Sequence, residues 1–133
     1  MFNFNLSTNS GSTYVVTKTT TFFRARLFEA DTSPELAYIT VEDLAQSTGV
    51  QDLAIGIGND SDQICVGDLI LFNPSSTTYV KHFIAKINES GQDDQTRNSF
   101  IAGYGNTTSA VNAVQFKMSS GNFDGTILLY GIV

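Results

Sequence analysis

The sequence predicts an all-β, single-domain antiparallel β-sandwich with at most one short helix. Three observations carry that expectation. Short runs alternate apolar and polar residues with period two, as half-buried strands do. Clusters of Gly, Pro, Asn, Asp and Ser break these runs at short intervals, supplying tight reversals. The composition adds ten Phe and five Tyr to many β-branched residues, all of which suit a pleated, half-buried surface. At 133 residues the chain has the size of one domain, and a core of that size holds without a disulfide or metal staple.

The elements follow in order. Phe2-Asn3-Phe4-Asn5-Leu6 alternates ahead of a Ser-, Thr- and Gly-rich stretch, and reads as an N-terminal arm, 1–13, that packs or pairs elsewhere. The sandwich then occupies 14–133. The threonines of 17–21 favour an extended chain, because branching at Cβ crowds a helix. In 22–28, Phe23, Ala25 and Leu27 share one face while Arg24 and Arg26 share the other. The runs 36–42 and 64–72 are further strand candidates. Thr40 with Asp43 resembles a capping arrangement before Leu44-Ala45-Gln46, with Gly49 to end it, so at most one or two helical turns are expected there. In 79–87 neither face is fully polar, which predicts a strand covered on both sides. In 114–119, Val114, Phe116 and Met118 alternate with Gln115, Lys117 and Ser119. The segment 126–133, Thr-Ile-Leu-Leu-Tyr-Gly-Ile-Val, is apolar on both faces; such a strand is stable only when covered twice, once by the core and once by a neighbouring subunit.

Charge is sparse at 15%, and the polar surface is built from 28 Ser and Thr and ten Asn, a composition associated with extracellular or particle-exposed β-proteins. The net charge of −6 argues against nucleic acid, whose binding needs clustered Lys and Arg, and equally against anionic membranes. Residues 1–10 lack the basic and apolar regions of a signal peptide, and no run approaches the ~20 apolar residues of a span, so synthesis in a cytoplasm without export is expected.

The search for chemistry is short. Cys65 lies between Ile64 and Val66 and reads as a small apolar residue, since no base stands near it in sequence. His82 is the sole histidine and belongs to a strand pattern. Gly56-Ile57-Gly58 and Gly103-Tyr104-Gly105 lack the third glycine and the lysine or acidic partner of phosphate-binding loops, and read as turns or bulges. Asp60 and Asp62 resemble the start of a calcium loop, but its later glycine and glutamate are missing; Asp93-Asp94 reads as a loop tip. Asn5, Asn59, Asn88 and Asn106 begin Asn-x-Ser/Thr triplets, which matter only in a secretory pathway. Arg24 and Arg26 offer an anion site, or more simply pair with this acidic chain's own carboxylates. No enzyme activity, metal or cofactor is expected.

Three segments carry a family resemblance: Gly67-Asp68-Leu69-Ile70-Leu71-Phe72-Asn73-Pro74, Gly103-Tyr104 with Asn106-Thr107-Thr108-Ser109-Ala110, and the run from Phe116 to Gly131 containing Ser-Gly-Asn, Gly-Thr-Ile and Tyr-Gly. Over the half of the chain from Gly67 onward, they resemble a closing hairpin of small jelly-roll-like structural and fibre-tip proteins of tailed bacteriophages. The resemblance implies a virion component, usually trimeric. With no extended shaft ahead of the sandwich, a capsid decoration or cement protein that bridges major capsid proteins on the capsid surface is the expected form. Phe2, Phe4 and Leu6 are the expected partner contacts, and Leu128, Tyr130 and Ile132 the expected contacts of the homotrimer. The rival expectation is a receptor- or glycan-binding tip module that uses Tyr104, Asn106 and Asn112.

Overall fold

The structure is a computed structural model that describes residues 1–132. Eight strands form it: β1 (Phe2–Ser7), β2 (Lys18–Phe28), β3 (Glu35–Tyr38), β4 (Gln51–Ala54), β5 (Cys65–Leu71), β6 (Lys81–Gly91), β7 (Gln95–Gly105) and β8 (Ala113–Met118). They make two antiparallel sheets, a three-stranded one ordered β4-β1-β8 and a five-stranded one ordered β3-β2-β7-β6-β5. The all-β sandwich is therefore as expected. As in a jelly roll, the first strand pairs with the last and the second with the seventh.

Phe4, Leu6 and Leu53 from the small sheet close on Phe22, Phe83 and Ile101 from the large one. The Phe4 and Phe83 rings meet edge to face at 4.9 Å, the favoured geometry for two aromatic quadrupoles. Turn residues act where the sequence placed them. Asp94 takes a left-handed φ of 50° in the three-residue loop between β6 and β7, so Asp93-Asp94 is a loop tip. Asn73 does the same after β5, with a φ of 46°.

Three expectations are corrected. Phe2–Ser7 is no arm but the central strand of the small sheet, hydrogen-bonded on both sides. Phe4 and Leu6 are each 0% exposed, so they have no surface to offer a partner, and their contact role is withdrawn. Apolar residues alternating at one chain end are buried by the same force as those in mid-chain. Phe2 is half-buried, packed on Phe116 and Phe123.

The segment around Thr40–Gly49 forms no helix, within the expected limit of one or two turns. Its backbone pairs with the free edge of β2 instead: Thr20 N donates to Leu44 O, and Lys18 and Ser47 exchange both bonds. Those bonds take the carbonyls and amides that a helix would need for itself. The segment 126–132 is not a strand among the described residues, and its side chains lie in solvent; Val133 lies outside the described residues.

Candidate interaction surface

Alternation dictates which side chains of the large sheet enter the sandwich, and the outcome on β2 inverts the usual pattern. Arg24 and Arg26 point between the sheets, while Phe23 and Leu27 point to solvent. The reason lies across the strands. Glu89, Arg97, Arg26 and Glu35 stand directly opposite one another in a single inward row. Arg26 pairs with Glu35 at 2.6 Å, Arg24 reaches the same carboxylate at 3.2 Å, and Arg97 pairs with the buried Glu89. The two β2 arginines thus pair with the chain's own carboxylate, as expected.

Gly56 completes this row. Its amide donates to Glu89 Oε1, and a Cβ there would overlap the Arg97 guanidinium, so only glycine lets the backbone come this close. Glu42 is held above the usual carboxylate range by burial and by Asp52, against the pull of Arg24 and Arg97. The charges of this group pair with one another, Glu89 and Arg97 buried, Arg24, Arg26 and Glu35 partly exposed.

The inverted β2 leaves its apolar side outside. One outward row runs Asp68, Lys86, Phe100, Phe23, Tyr38 across all five strands; the next runs Ile70, Ile84, Ala102, Thr21. Phe23 and Phe100 stack with ring centres 4.9 Å apart, and the Lys86 ammonium lies 6.0 Å over the Phe100 ring. Leu36, Tyr38, Val66, Ile70 and Ile84 are exposed around them. The result is a broad apolar face with few charges. Contiguous exposed apolar surface of this kind marks an interaction site, whereas single exposed residues do not. The expectation that β6 is covered on both sides is met on one: Phe83, Ala85 and Ile87 are buried, but His82, Ile84 and Lys86 lie open in the single chain.

The second exposed apolar feature is the segment after β8. Phe123 packs edge to face on Phe2 at 5.2 Å and ties the segment to the sandwich. Beyond it, Ile127, Leu128, Tyr130, Leu129 at 96% and Ile132 at 92% are exposed. Leu128, Tyr130 and Ile132 thus lie on the surface, open to a neighbour. Covering this segment would remove about four side chains' worth of apolar surface from water, on the order of 6–12 kcal/mol of hydrophobic free energy before ordering costs.

The remaining candidates resolve differently. Asn106 donates to Gln46 Oε1 at 3.0 Å, and Asn112 accepts from the Ser10 amide at 2.8 Å, so both hold loops in place. Tyr104 is half-buried and tilts against His82 on the outward face. Cys65 is half-buried against the core, with its thiol pushed up by burial and by Glu89. Among the described residues no three His, Cys, Asp or Glu side chains converge as a metal site. Two shallow clefts, of about 230 and 290 Å³, fall just below the range of roughly 300–1,000 Å³ usual for small-molecule pockets.

Phe23, Phe100, Ile70 and Ile84 were not singled out as site residues from sequence. The mixed faces of 79–87 were the available signal; the direction of β2 was not readable, because both of its faces are plausible interiors. No family model, curated protein or solved structure matches the chain.

Proposed function

We propose that the protein is a virion structural protein, a capsid decoration or cement protein that acts as a homo-oligomer and braces major capsid proteins on the capsid surface. The observation that supports this reading is the uncovered apolar face of the five-stranded sheet, centred on Phe23, Phe100 and Ile84, together with the exposed apolar segment 126–132. A chain with two such surfaces is suited to being held between other proteins. The resemblance of the half from Gly67 onward to tailed-phage structural proteins supplies the kind of assembly.

The mechanism is mechanical. An oligomer offers several apolar faces at fixed spacing, so contacts that are individually modest combine through effective concentration into firm attachment. The outer sheet face takes the shell-contacting role that Phe4 and Leu6, as core residues, do not fill. Neither catalysis nor a cofactor enters this mechanism.

Purified protein added to capsids lacking it should bind in hundreds of copies and raise their resistance to heat or osmotic shock. Retention on host cells with no binding to capsids would overturn this reading in favour of a receptor-binding tip.

A further inference from the structure

We propose that residues 126–132 of one chain add as a strand to the open edge of β5 in a second copy. The proposal rests on the homo-oligomeric reading above and names the two surfaces that meet.

The donor is a seven-residue stretch, apolar on both faces and uncharged, that forms no strand in its own chain. A segment of this kind gains nothing from lying on one surface; it needs side chains on both faces and a hydrogen-bonding neighbour in the plane.

The acceptor follows from register. Ser90 N donates to Ile64 O and Phe72 N donates to His82 O, which makes Ile64 and Phe72 hydrogen-bonded positions of the β5–β6 ladder. In an antiparallel pair such positions alternate. The amides and carbonyls of Cys65, Gly67, Leu69 and Leu71 therefore point away from β6, and none has a backbone partner beyond β5 among the described residues.

Four edges are open in the two sheets: β3, β4, β5 and β8. β3 and β4 have only four residues each. β8 is six residues long and carries Lys117, a common guard against edge pairing, and its partly buried Val114 and Phe116 pack against the core. β5 has seven residues, enough to pair along most of the donor, and exposed apolar side chains flank it at Ile64, Val66, Ile70, Phe72 and Tyr79. Length, free hydrogen-bonding groups and apolar flanks coincide on this edge. Mutual donation gives a swapped dimer, and head-to-tail donation gives a closed ring.

The test compares the full chain with the full chain carrying Leu128→Asp and Leu129→Asp, both exposed positions whose change leaves the sandwich intact. Sedimentation should show an oligomer for the first and a cooperatively melting monomer for the second, with a melting temperature lowered only by the lost association and association weakened by at least about 100-fold. Hydrogen exchange at the amides of Cys65, Gly67, Leu69 and Leu71 should quicken at least about tenfold in the variant, with those of Phe83 and Ala85 unchanged. A monomeric full chain, an oligomer that survives the double substitution, or edge amides equally fast in both proteins would overturn the proposal. A monomer that still binds capsids overturns the strand donation but leaves the virion reading standing. Oligomers with protected β5 amides that bind no capsid uphold the donation and remove that reading.

Discussion

Lys18 is fully buried, its ammonium donating to Asn5 Oδ1 and to the Val16 carbonyl. Both partners are neutral, so burial dominates and lowers its pKa from 10.5 to about 8. Between those values the unfolded chain holds the proton and the folded chain has released it. Raising the pH through this window therefore favours the fold, and below about pH 8 both states are charged and the full cost of the buried cation is present. Chemical denaturation at pH 8 and pH 10.5 should show wild type gaining on the order of 1–2 kcal/mol relative to Lys18→Met across that interval. Taking the difference between the two proteins cancels the titrations of Cys65 and the tyrosines. Equal pH slopes would show that the lysine is charged in both states throughout. Lys81 is buried in the same way, its ammonium bonded to the Tyr79 and Thr107 carbonyls.

β1 shows how a strand's place is decided by what lies on either side of it. Its apolar residues Phe4 and Leu6 meet the large sheet, and Asn3 and Asn5 on the opposite face are buried as well. Asn5 escapes the usual cost of a buried amide by bonding the Tyr14 carbonyl and Lys18. Phe4→Ala should therefore cost about 3–5 kcal/mol in denaturant unfolding, the range for a core aromatic replaced by alanine. A residue of a detachable arm would lose almost nothing. Alternation at one chain end reads the same for an arm and for a central strand, because pattern reports period and not the number of neighbours. The C-terminal segment is the converse case: its apolar character was plain in the sequence, whereas the lack of a strand partner within its own chain was not.

At the scale of the whole molecule, the large sheet has one face in the core and one face open, and the open face is nearly as apolar as a core face. Substituting Phe23→Thr and Ile84→Thr places β-branched side chains on exposed positions and should lower the melting temperature by no more than several degrees, the lost Phe23–Phe100 stack being worth about 0.5–1.5 kcal/mol. Capsid binding by the same variant should weaken at least about tenfold, measured by co-sedimentation. Undiminished binding would place the contact elsewhere on the molecule.

The sandwich itself was legible without coordinates. Period-two runs such as 79–87 and 114–119, and turn residues such as Asn73 and Asp94, are local properties, and local physics is enough to place strands and reversals. The loop role of Asp93-Asp94 was readable for the same reason, and the ion pairing of Arg24 and Arg26 followed from the chain's excess of carboxylates, though not which carboxylate. What only tertiary structure decided is which face of each strand turns inward and which strands become neighbours. Arg24 and Arg26 go inside because Glu35 waits opposite them across the sheet, and Glu89 and Arg97 fill the rest of that row. Phe23 is sent outward as a consequence. The apolar outer face, on which the functional reading depends, is thus tied to an inward row that sets two ion pairs, Arg26–Glu35 and Arg97–Glu89, side by side through the pairing of Arg26 with Arg97, 71 positions away in the chain. No local pattern contains that information.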